Sequence, residues 1–126
     1  MTNDRLRFRA WHKPTKKMFE VFCFTDKEVF ENNIDGVGAT PINPANIDDC
    51  VLEQCTGLKD KNGRLIYEGD IVFYGGVELW WVVFEEKYCS FELLRKDGNG
   101  LSMSAHKEMT VVGNIHENPE LLEEQK

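Results

Sequence analysis

Three carboxylates lie within eleven residues near the middle of the chain, Asp60, Glu68 and Asp70. Drawn together, they would offer the hard oxygen ligands that Mg2+ prefers. Asp60-Lys61-Asn62-Gly63 also opens like a calcium-binding loop, but the later ligands of such a loop do not follow. Turn chemistry explains the same residues more simply. Aspartate and asparagine side chains accept bonds from backbone amides two residues on, and glycine takes positive φ without a Cβ clash. Gly57, Gly63 and Gly69 punctuate the stretch in that way. The turn reading is preferred, and neither a metal nor any other cofactor is expected.

The N-terminus holds a second constellation. Arg5, Arg7 and Arg9 alternate with Leu6, Phe8 and Ala10, and Trp11 continues the arginine face. Period-two spacing sets such side chains about 6 to 7 Å apart on one side of a strand. A row of this kind could meet phosphates along a nucleic-acid strand, with Trp11 stacked on a base and Lys16 adding charge from the following turn. The competing reading pairs the row with acids of the same chain or of a neighbouring copy. It is preferred, because the total charge opposes polyanions at long range. Arg5, Arg7, Arg9, Trp11 and Lys16 are therefore candidates for an anion or subunit contact. Trp80 and Trp81 form the third constellation. Neighbouring strand residues point to opposite faces, so both are buried only if both faces are covered. Otherwise one indole marks a subunit or ligand surface.

Nucleophilic chemistry finds little support. Ser90, Ser102 and Ser104 sit in no G-x-S-x-G turn, and His106 has no orienting acid that the sequence identifies. His116-Glu117 reads as a strand end, and Gly36-Val37-Gly38 is too short for a dinucleotide fingerprint. Cys23, Cys50, Cys55 and Cys89 include no C-x-x-C pair, and His12, His106 and His116 are not spaced as zinc ligands. The expectation is a protein that is not an enzyme.

The elements that must position these residues are short strands between Gly/Asn turns. Leu6 to Trp11 alternates as a half-buried strand, and Met18 to Phe24 returns as its hairpin partner. Thr25 or Asp26 is placed to cap a short helix through Phe30. Residues 32–46 are rich in Gly, Pro and Asn and read as loop. Strands follow over Val51–Cys55, Val77–Phe84, Tyr88–Leu94 and Glu108–His116, and Ile66–Phe73 leads through a turn at Gly69 into a further strand entered at Asp70. Asn118-Pro119 then starts a short helix, with proline in its first turn. The fold class expected is mainly β: an N-terminal hairpin (4–24), a small SH3-like or open β-barrel (47–116) and a short C-terminal helix (118–125), in one domain over 1–126.

Composition bounds the function. With 126 residues, 41% of them hydrophobic, one domain can bury a core. Fifteen Lys+Arg against 22 Asp+Glu give a net charge of -7, divided as +5 over residues 1 to 17 and -12 over the rest. A basic edge on an acidic body suits contact between copies, and a homo-oligomer is expected, with nucleic acid the less favoured partner. No run approaches a membrane span and the N-terminus has no apolar stretch of signal-peptide length, so a cytoplasmic location without membrane contact is expected.

Three blocks then suggest a kinship. They are Leu6-Arg7-Phe8-Arg9-Ala10-Trp11 with Lys16-Lys17-Met18, then Gln54-Cys55-Thr56-Gly57-Leu58-Lys59-Asp60-Lys61-Asn62-Gly63 running into Ile66-Tyr67-Glu68-Gly69-Asp70-Ile71-Val72, and last Val112-Gly113-Asn114-Ile115-His116-Glu117-Asn118-Pro119-Glu120-Leu121-Leu122. In content and order the chain resembles the YopX family, small proteins encoded by phages and prophages. The resemblance implies a mainly β, barrel-like fold and self-association in a bacterial host, and supplies no catalytic residues. His12 and Cys55 depart from the family pattern, which holds more often an acid and an aromatic there.

Overall fold

Residues 6–32, 44–76 and 78–123 are described by the computed structural model. Arg5, Val77, most of the 32–46 loop and the end of the expected C-terminal helix lie outside them. The chain packs as two compact units, Leu6–Gln54 and the stretch from Cys55 onward. The boundary falls inside one strand.

In the first unit, β1 (Phe8–His12) and β2 (Lys17–Phe24) form the expected antiparallel hairpin, in register from Arg9 opposite Glu20 to His12 opposite Lys17. The other edge of β1 pairs with the first half of β5 (Cys50–Lys59). A strand paired on both sides holds its side chains in fixed rows, which decides the fate of the arginines below. The helix expected after Thr25 is instead a strand, β3 (Glu28–Glu31), paired with β2 and with the two-residue β4 (Ala45–Asn46). Thr25 does act as a local acceptor. Its Oγ1 takes the amides of Lys27 and Glu28 at 3.1 and 3.0 Å. That bond closes a turn, and the β-branched and aromatic Val29-Phe30 pair then continues as strand because Val29 seals the core. Ala10, Phe19, Val29 and Ala45 make that core, flanked by Val21, Ile47, Cys50 and Leu52.

In the second unit, the latter half of β5 pairs with β6 (Leu65–Tyr67). The rest is a five-stranded antiparallel sheet in the order β10-β9-β8-β7-β11, from β7 (Asp70–Tyr74), β8 (Glu78–Glu85), β9 (Ser90–Leu94), β10 (Gly100–Ser102) and β11 (Thr110–Asn114). The end strands β10 and β11 do not pair, so the sheet stays open rather than closing into a barrel. The turn expected at Gly69 and the strand entry expected at Asp70 are both present, and Ile66-Tyr67 before the turn belong to β6. Gly69 takes φ 87 there. The last strand is shorter than expected, because Met103–Glu108 forms a 3-10 segment. Met103 and Met109 enter the core from its two ends, beside Ile66, Val72, Trp80, Val82, Leu93 and Val111. The terminal helix, α1, is a single turn, Glu120–Glu123. No helix of the described residues is long and apolar enough to cross a membrane.

Candidate functional site

The arginine row is the first candidate, and the hairpin register explains what becomes of it. Arg9 stands opposite Glu20 on β2 and Glu53 on β5. It is only 7% exposed, and its Nε donates to Glu53 Oε1 at 2.9 Å. Arg9 is therefore a core ion pair and not a surface contact. Arg7 lies outside the strand and half-exposed, 3.6 Å from Glu20. Trp11 is half-buried and Lys16 is exposed in the turn at φ 55. Arg5 lies outside the described residues. β1 does alternate, with Arg9 and Trp11 on one face and Phe8 and Ala10 on the other, but among the described residues Arg9 is buried against Glu53 and is not part of an open row of cations.

The middle block builds two turns. Asp60 is 5% exposed and its carboxylate accepts from backbone amides. Oδ1 accepts from Asn62 and Arg64, and Oδ2 from Val111 on β11, each at 2.9 Å. Burial pushes its pKa up, but the three amides and the nearby Arg64 outweigh this and hold it below the usual carboxylate value. Asp70 is fully buried, and its Oδ2 accepts the amide of Tyr67 at 2.8 Å across the Glu68-Gly69 turn. The two carboxylates thus stitch backbone rather than converge on an ion. Among the described residues no three His, Cys, Asp or Glu side chains are grouped to hold a metal.

Trp80 and Trp81 take opposite faces of β8, as neighbouring strand residues must. Trp80 is in the core and Trp81 is half-buried on the other side. A cluster the sequence did not reveal surrounds Trp80. The Arg95 guanidinium lies over its ring, 5.2 Å from the centroid. Arg95 also bonds Glu78 and Asp97. The hydrogen bonds from Arg95 hold the Asp97 carboxyl below its ordinary value. Arg95 lies seventeen positions after Glu78, and the β8–β9 hairpin brings them together.

The second face of the five-stranded sheet is apolar at one end, while its other end carries Glu85, Ser90 and Glu92. Ile71, Trp81 and Leu94 lie side by side across β7, β8 and β9, and Phe73 lies opposite Leu79. Phe73 remains 38% exposed. This face could be inferred only after the core parity of β7 and β8 was known, since Ile71 to Phe73 and Leu79 to Phe84 are unbroken apolar runs.

Comparison with known proteins agrees with this architecture. The crystal structure of protein EF1440 from Enterococcus faecalis is similar, with a TM-score of 0.65 and 28% sequence identity over 92% of this chain and 96% of that one. No curated protein matches. The family model described as YopX protein matches residues 7–123, nearly the whole length, and the chain belongs to the YopX family.

Proposed function

We propose that this chain is a phage- or prophage-encoded, non-enzymatic protein that acts as a homo-oligomer inside the bacterial host cell. Family membership supports the phage origin. The observation that carries the oligomer is Phe73, 38% exposed on the second face of the five-stranded sheet beside the half-buried Leu79, Trp81 and Leu94, although Ile71 on the same face is already buried within the chain. An aromatic patch on a sheet face is costly to leave in water and suits burial against a second copy. The non-enzymatic part rests on Asp60, Asp70 and Arg9, the most chemically suggestive residues, being engaged in backbone bonds and a core ion pair. A nucleic-acid-binding role needs Arg9 at the surface, and its burial beside Glu53 argues against that alternative.

Light scattering over a concentration series tests the reading. The expected mass is a multiple of 14.6 kDa, returning to that value in Phe73→Glu. A parent protein that stays monomeric at about 100 μM, well above the weak end of specific association, would overturn it.

A further inference from the structure

β11 ends the five-stranded sheet, and an end strand presents amides and carbonyls that can template another strand. In a regular strand the outward amides recur at every second residue. The register shift between Val111 and Gly113 makes Val112 a bulge residue, and the outward amides become Val111 and Asn114. Each meets a side chain. Val111 donates to Asp60 Oδ2 at 2.9 Å, and Asn114 donates to Asn118 Oδ1 at 3.2 Å. The neighbouring carbonyls are also taken. Met109 O accepts from the Lys61 amide at 2.8 Å, and Asn114 O from the Asn118 amide at 2.9 Å. Gly113 makes room, because a Cβ there would stand 2.5 Å from Asn118 Oδ1.

We propose that Asp60 and Asn118 are latches that hold the β11 edge shut against strand addition by a second copy of this chain. A second copy is the fitting occupant because two β11 strands can pair antiparallel about a two-fold axis, each supplying the same donors and acceptors. The proposal is independent of the sheet-face contact, which involves other residues. It also gives one purpose to two blocks of sequence, the Asp60 turn and the Asn114–Asn118 turn, which meet only at β11.

Asp60→Asn is the selective test. Its remaining oxygen still accepts the amides of Asn62 and Arg64, while its new NH2 group faces Val111 donor to donor. The variant is made in the Phe73→Glu background so that the sheet-face contact does not enter. Site-resolved hydrogen exchange should show the Val111 amide at least about tenfold faster, the loss expected for a charge-assisted bond. Light scattering should show a mass that rises with concentration, and Val112→Lys on the same strand should suppress the rise. Asn118→Ala should do the same at the Asn114 amide, and keeps the question open to test if Asp60→Asn does not fold. Unchanged exchange at Val111 or Asn114, no added mass, or added mass that Val112→Lys leaves in place would each overturn the proposal.

Discussion

At the scale of single residues, the groups that promise chemistry in the sequence are engaged in holding the fold. Arg9 and Glu53 show what that engagement implies for stability. Removing one member of a buried ion pair leaves the other charge in a low-dielectric site, which typically costs about 3–5 kcal/mol, whereas replacing both with apolar residues is often neutral. Arg9→Met should therefore lower the urea midpoint sharply, and Arg9→Met combined with Glu53→Leu should recover most of the loss. A surface arginine would give no change in either variant. Asp60 adds a pH dependence of definite sign. Its folded pKa lies below the unfolded value of about 3.9. Its stabilisation is thus complete above that value and is lost as pH falls through the lower, folded one. Denaturation between pH 5 and 2 should be steeper in the parent than in Asp60→Asn, and parallel curves would remove the carboxylate from the account.

At the scale of elements, the sequence reveals what depends on neighbours in the chain. The Leu6–Trp11 alternation and the turn before Met18 are local signals, and the β1–β2 hairpin follows from them. The Thr25 turn shows the limit of such signals, since the same hydroxyl can cap a helix or close a turn and the demand for Val29 in the core decides. The role of Asp60 was not legible, because its partner Val111 is 51 residues away and offers only a backbone amide. The sequence allowed either an SH3-like or an open barrel, and the open form could not be chosen from it, since closure depends on whether β10 meets β11 and not on any strand's own pattern. Gly113 belongs to this non-local class. It is not among the positive-φ glycines, so its requirement is steric, set by Asn118. Asn118 is short and bonded twice to Asn114, through its side-chain oxygen and its backbone amide, and cannot simply swing away. Gly113→Ala should destabilise by about 1–3 kcal/mol in urea, as overpacking does. Adding Asn118→Ala should cost less than the sum of the single changes, because the clash has gone. Strict additivity would mean that the two residues do not press on one another.

At the scale of the whole molecule, the division of charge loses part of its apparent polarity. The sequence splits into +5 and -12, which by itself suggests a cationic arm seeking an anion. In the fold, two of that arm's arginines lie beside acids of the -12 portion within the Leu6–Gln54 unit, Arg7 beside Glu20 and Arg9 beside Glu53. Lys13, Lys16 and Lys17 remain exposed on the hairpin turn. The same turn is tied to an acidic neighbour, for the Lys13 amide donates to the carbonyl of Asp49, beside the exposed Asp48. Three exposed lysines on one turn, of which Lys13 lies beside Asp49, on a chain of net charge -7, make a weak footprint for a phosphate backbone. The expected result is no saturable binding of a single-stranded or duplex oligonucleotide at 50 mM salt, a low ionic strength chosen to favour phosphate contacts. Affinity that appears there and falls steeply by about 200 mM would contradict this reading. In that event, converting Lys13, Lys16 and Lys17 to glutamine should flatten the salt dependence by the number of phosphate contacts removed, whereas a contact made by Arg9 would first have to break its bond with Glu53 and would register as lost stability.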